Sequence, residues 1–422
     1  MSTIFLSLFL FVLFSFFVGR DLFSPAKIFG LVWCFVFMLA ELKFSALQHN
    51  WSWMSWMLMF LGPLFFLLAV FIVYVFNCTK RLPAVSQSQT VLQEGSNLEK
   101  KFLIFTGTLF LLYVIGYVVN TITTGYIPMF AAKPSQSRTE WGSFGFGMLI
   151  FCAPVILFLV TEYIVLFKKN KLVILILIMV FIITLVSYIF LIQRYNLVMW
   201  VCMSLVLIYY TRKKLMVKVL ISGSVFLIVV ANIINSFRFA RYIENYLYYT
   251  SKMKFLPDYA IFTEPYMYVV MGLENFARAI EKLEYHTWGY FTFRPYLSLT
   301  GMKRFITSVS EVEETPFLIS GYNTFPFHWY YYYDYGILGV MIGSFVLGFI
   351  IALIYWRMKY HPSLENISLY SICVFIMLMS FYLNPLTMLN FIFVVILIQL
   401  SQRYIMRDKR DPSRETRPIV TG

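Results

Sequence analysis

The densest gathering of polar chemistry in the chain is GYNTFPFHWYYYYDYGILG, residues 321–339, immediately ahead of a long apolar run. It holds Asn323, Thr324, His328, four consecutive tyrosines from Tyr330 to Tyr333, and Asp334. Asp334 or His328 could act as a general base if a hydroxyl came within hydrogen-bond reach. An acid at a hydrocarbon edge is costly without a role, which favours function for Asp334. The aromatics, Tyr332 and Tyr333 among them, could stack on ring faces or hold an apolar chain. Enrichment of Tyr and Trp at membrane interfaces explains them as well.

Arginines form the second set. In TTGYIPMFAAKPSQSRTEWG, residues 123–142, Ser137 and Glu140 have capping-box spacing before an apolar run. This predicts a span starting there, with Arg138 in its first turn, where a cation beside free helix N–H groups makes an anion site. Arg194 lies in a tight turn, Gln193-Arg194-Tyr195-Asn196, between two apolar runs. Reaching for lipid headgroups is the bland alternative for both. Arg238 and Arg241 are three apart and would share a helix face. Arg278 and Arg294 follow, with Glu264 as a further base or a helix cap. His49, His286 and His361 have no ligand-type neighbours in sequence.

These residues must be positioned by membrane helices. The 422-residue chain is 60% hydrophobic, 20% aromatic and only 13% charged, where a soluble chain carries about 25% charge. Apolar runs reach the roughly 20 residues that cross a bilayer as helix. The expected fold is all-α and polytopic, with eleven spans near 2–19, 28–47, 54–77, 102–122, 143–167, 172–192, 197–211, 215–236, 336–356, 367–383 and 388–406. The run 2–19 lacks the leading basic residues of a cleavable signal and reads as a retained first span.

The net charge of +14 is a topology signal. Twenty basic residues fall in alternate loops and the tail, from Arg20 and Lys27 to Arg414 and Arg417, against Lys133, Arg138 and Arg194 in the short loops of the other face. The positive-inside rule then puts the C-terminus in the cytoplasm and the N-terminus outside, and nucleic acid is not implied. The chain divides into helices 1–8 (1–236), a large external loop (237–335), helices 9–11 (336–406) and a cytoplasmic tail (407–422). Leu82–Asn97 and the tail read as plain connectors.

The external loop is too long and too aromatic for a linker. Ten acidic residues offset nine basic ones across it, so its arginines call for specific pairing or specific anions. Within it Met267, Val270, Met271, Leu273, Phe276, Ile280 and Leu283 recur at helical spacing after Thr263 and Glu264-Pro265. That predicts an amphipathic helix on the membrane surface. The five cysteines form no disulfide framework or metal-ligand spacing, and no metal or cofactor is expected. There is no Walker, GxSxG, HExxH or DxD sequence.

Three local features resemble Wzy-type oligosaccharide repeat-unit polymerases of bacterial O-antigen, capsule or exopolysaccharide pathways. They are GYIPMF followed by Arg138; the isolated Arg194 in its outer turn; and Asn323-Thr324 followed by Tyr333-Asp334-Tyr335-Gly336 and Gly339. Arg278 and Gly289 also fit an Arg-x10-Gly pattern of such polymerases. The resemblance implies an inner-membrane enzyme that moves a glycan from undecaprenyl pyrophosphate onto a hydroxyl of another lipid-linked unit. Arg138, Arg194, Arg238 and Arg241 would stabilise the leaving pyrophosphate, and Asp334 or His328 would take the proton. Arg278, Arg294, Glu264, Asn323, Thr324, Tyr332 and Tyr333 would bind substrate. A chain-length-regulating co-polymerase is a further partner the resemblance allows. The alternatives are an O-antigen ligase, whose His-Asn-type motif is replaced here by Asn323-Thr324, and a lipid-oligosaccharide flippase.

Overall fold

The computed structural model describes residues 21–78, 96–143, 145–166, 171–212, 243–305, 318–319 and 321–406, with parts of 6–12 and 222–226. Among these residues the fold is all-α, and the only extended pairing is an isolated bridge between Ser45 and Met253. Seven helices are long and apolar enough to cross a membrane. They comprise α1 (Pro25–Leu42), α2 (Trp53–Cys78), α3 (Ser96–Thr124), the pair α5 (Phe146–Leu149) and α6 (Cys152–Leu166), α7 (Lys171–Ile189), α12 (Trp329–Tyr360) and α14 (Leu389–Met406). Two shorter apolar helices, α8 (Tyr195–Thr211) and α13 (Leu364–Met379), pack with them among the described residues. These match nine of the expected spans; 2–19 and 215–236 fall largely outside the described residues, as do the connector 82–95 and the tail from 407.

The helices pack around an apolar centre. α2 lies along α12, while α13 contacts α8, and α6 contacts both α3 and α8. Small residues set the closest approach: a methyl at Gly348 would stand 2.5 Å from the Phe66 carbonyl oxygen. Polar contacts join residues that the charge alternation assigned to the same face. Asp21 accepts from Tyr210, Tyr355 and Lys359, and Glu365 pairs with Arg403. On the opposite face Arg194 pairs with Glu264 and His49 with Glu274.

Three sequence expectations need correction. The capping box does not form: residues 134–140 make a separate short helix, α4 (Pro134–Glu140), and the membrane helix begins at Phe146. Gln136 bonds Glu140 at 2.9 Å instead, and Arg138 sits in the last turn, where the helix dipole favours a cation. The amphipathic helix exists as α10 (Thr263–Lys282), but its apolar face is buried on α1 and α2 and does not rest on lipid. Packing on protein is open to it because the apolar stripe carries Glu274 and Asn275, whose polar atoms find partners there.

The third concerns 324–335, expected in the external loop. The chain reverses at Gly336, whose φ of 63° suits a residue without Cβ. On a straight helix Tyr331 and Gly343 would be about 18 Å apart, yet a methyl at Gly343 would meet the Tyr331 ring at 2.5 Å. The short arm before Gly336 therefore folds back against the long arm. His328, at its start, fits against Gly62 of α2, nine residues past Trp53 or roughly 13 Å along that helix. The segment is a re-entrant hairpin. Ser380 O accepts from the Phe327 N–H (2.7 Å) and the Asn384 amide donates to Phe327 O (3.3 Å), which satisfies backbone groups that hydrocarbon could not.

Candidate functional site

On the loop-bearing face lies a cleft of about 120 Å³. It is lined by Leu247 of α9 (Ile243–Thr250), by Thr263, Glu264, Met267 and Tyr268 of α10, and by 321–324. Asn275, fully buried, holds the far wall with both ends of its amide. Its Nδ2 donates to Tyr322 O (2.9 Å) and Thr324 O (3.1 Å), and its Oδ1 accepts from Ile319 N (2.9 Å). Gly272 lets that wall close in, since a methyl there would already touch Thr324 Oγ1 at 3.4 Å. The Tyr322 hydroxyl meets Ser251 Oγ at 2.5 Å. Burial pushes its phenol pKa up, so it stays a neutral hydroxyl.

Arg194 borders this cleft through Glu264. The turn between α7 and α8 is braced by Tyr188, whose hydroxyl donates to Gln193 and accepts from Asn196. Arg194 Nη1 donates to Glu264 Oε1 at 3.1 Å, with both side chains about one-fifth exposed (22% each). Its Nε and Nη2 are enclosed and find no partner among the described residues. Five N–H donors in a planar fork suit an oxyanion with more than one oxygen. Arg138 is half-buried and makes no ion pair among the described residues. Its segment is held to the same turn by Met129 N to Phe190 O, 3.0 Å. A second cavity of about 290 Å³, lined by Trp141, Gly142, Ser143 and Gln193 among others, lies on this side of the turn.

The structure thus brings Arg194, Glu264, Asn323 and Thr324 together, and it separates Asp334 and His328 from them. Asp334 is fully buried. Its carboxylate accepts from the Thr287 hydroxyl, from Phe291 N (3.2 Å) and from Thr292 N (2.7 Å). The last two are free donors at the start of α11 (Tyr290–Leu299), so Asp334 anchors that helix. This geometry gives a bound carboxylate in place of the expected open base. His328 is also fully buried, ringed by Trp33, Phe276 and Phe327, with neither nitrogen bonded among the described residues. A charge acquired there would find no partner among the described residues. Tyr333 stacks on Phe291 at 4.9 Å, and Tyr332 meets Phe276 edge-on; both are core residues and not an open platform.

Arg278 lies apart from the cleft, its guanidinium 3.3 Å from His49 Nε2. Here sequence reading missed a constellation. Buried Glu274 accepts from His49 N, His49 Nδ1 and Trp51 Nε1, so exposed His49 does have a partner. A carboxylate on the apolar stripe of α10 was the available signal. Arg294 is half-buried on α11. Arg238 and Arg241 lie outside the described residues. No group of three or more His, Cys, Asp or Glu among the described residues could hold a metal ion.

Comparisons with protein-family models, curated proteins and solved structures find no match.

Proposed function

We infer that this multi-pass membrane protein is a polymerase of the Wzy type, joining polyprenyl-pyrophosphate-linked oligosaccharides at the loop-bearing face of a bacterial cytoplasmic membrane. The observation that carries the reading is Arg194, a cation whose enclosed Nε and Nη2 have no partner among the described residues, paired with the Glu264 that lines the cleft. Such a group matches a pyrophosphate that gains charge as its bond to sugar breaks.

In this reading an acceptor sugar hydroxyl attacks the anomeric carbon of the donor. A glycosidic C–O bond forms, the C–O bond to pyrophosphate breaks, and the hydroxyl proton leaves. Asp334 and His328 are too enclosed to receive it. Among the described residues Glu264 is the one carboxylate lining the cleft, and it takes the role of base. Its ion pair with Arg194 couples proton acceptance to leaving-group stabilisation. Asn323, Thr324 and Tyr322 supply hydrogen bonds for sugar hydroxyls from the opposite wall. Pyrophosphate leaves readily, so no general acid is needed.

The test is reconstitution in liposomes with purified lipid-linked repeat units. Glu264→Gln keeps shape but accepts no proton, and should cut turnover about a hundredfold while donor binding persists. A Glu264→Gln enzyme that builds full-length ladders would rule out this base. In a deletion strain, single repeat units on the surface glycolipid mark polymerase loss, and complete absence of glycan would mark a ligase instead.

A further inference from the structure

Six large apolar or aromatic side chains stand out of the protein between 246 and 262. Tyr246, Tyr249, Leu256, Tyr259, Ile261 and Phe262 are each more than half exposed. Tyr246 and Tyr249 ride on α9, and Leu256 leads into a 3-10 helix, Pro257–Phe262, that carries the other three and packs against α9. Between them Lys252 and Lys254 are exposed, and Asp258 is the only acid from 245 to 262. The height of this segment is fixed by α1. Ala46 N donates to Lys252 O (2.9 Å) and Lys254 N to Phe44 O (2.8 Å), only two to four residues beyond the end of α1 at Leu42. The two lysines therefore sit where a membrane-crossing helix leaves the apolar layer.

The patch also continues an exposed apolar strip at the end of α1. Leu42 at the end of α1 and Phe44 just beyond it are exposed, and the Phe44 and Phe255 rings meet at 6.0 Å. Aromatic and aliphatic side chains flanked by lysines, at interfacial depth, match the boundary between acyl chains and anionic headgroups.

We propose that residues 246–262 form a foot seated in the lipid leaflet of the loop-bearing face, its apolar side chains among acyl chains and Lys252 and Lys254 among phosphates. The foot also borders the cleft. Leu247 lines it from α9, and Thr263 and Glu264 follow directly after Phe262. A ligand with its anionic head at Arg194 and its apolar chain in the bilayer would cross the foot, so the cleft loads sideways from the membrane. This second half rests on the polymerase reading; the first does not.

The test places bimane on single cysteines at Ile261 and Phe262, with Lys282 as the exposed control, after replacing the five native cysteines. The protein is reconstituted in phosphatidylethanolamine and phosphatidylglycerol, with and without brominated acyl chains. Quenching at 261 and 262 but not at 282 is expected, and equal fluorescence in both lipids at 261 and 262 overturns the foot. If the cysteine-free chain does not fold, a benzophenone amino acid at 261 in the native chain gives the same decision. Lipid adducts support the foot, and a cross-linked dimer replaces it with a contact between copies. The double variant Ile261→Ser with Phe262→Ser should then raise KM for the polyprenyl-linked unit about tenfold. KM for a water-soluble short-chain analogue should not move. Equal KM effects on both substrates would overturn sideways loading while leaving the quenching result, and the polymerase reading, intact.

Discussion

Asn323 and Thr324 face an open cleft, whereas His328 and Asp334, only a few residues further along, are closed off inside the bundle. What separates the two regions is the inventory of partners. Asp334 has three donors for its two oxygens, all from the segment that begins α11. Arg194, joined to the cleft through Glu264, keeps an enclosed Nε and Nη2 with no acceptor among the described residues. A satisfied buried charge reads as architecture; an unsatisfied one beside a cavity reads as a waiting site. His328 is a third kind: its nitrogens have no partner among the described residues, and it lines neither of the two cavities described above.

The comparison breaks most visibly at Arg194. Arg194→Ala should reduce polymer formation several hundredfold, about 3–4 kcal/mol of transition-state stabilisation, with the thermal midpoint in detergent nearly unchanged. Arg194→Lys should recover part of the activity, because a point charge replaces a planar fork. A full ladder from Arg194→Ala at normal protein level would erase the contrast between the regions.

Asp334 should respond in the opposite currency. Asp334→Ala strands two backbone N–H groups and a hydroxyl, and should lower stability by roughly 3 kcal/mol, read as an earlier unfolding transition. A well-folded Asp334→Ala protein that binds donor yet makes no polymer would return Asp334 to catalysis.

His328 gives the smallest effect and sharpens the distinction. His328→Leu removes two unbonded nitrogens from an apolar pocket at similar volume, so stability should stay within about 1 kcal/mol or rise. Polymer length and rate should be those of the parent. Abolished activity with a normal melting profile would contradict the core assignment.

Hydrophobic runs were enough for the membrane class and for the presence of nine of the described membrane helices. Hydrophobic runs and charge bias are local properties, and a bilayer reads them locally. Arg194 and its tight turn were legible for the same reason, since a lone cation between two apolar runs has few places to go. The partners were not legible. Glu264 lies seventy residues from Arg194, and Glu274 is 225 from His49. Nothing in either local stretch encodes the pairing. The re-entrant hairpin was hidden more deeply. Its tyrosines fit a membrane interface as well as a core, and only the reversal at Gly336, the notch at Gly62 and the free N–H groups of α11 decide between them. Those three features belong to different parts of the chain. A carboxylate becomes an anchor or a base according to which donors the tertiary structure brings to it.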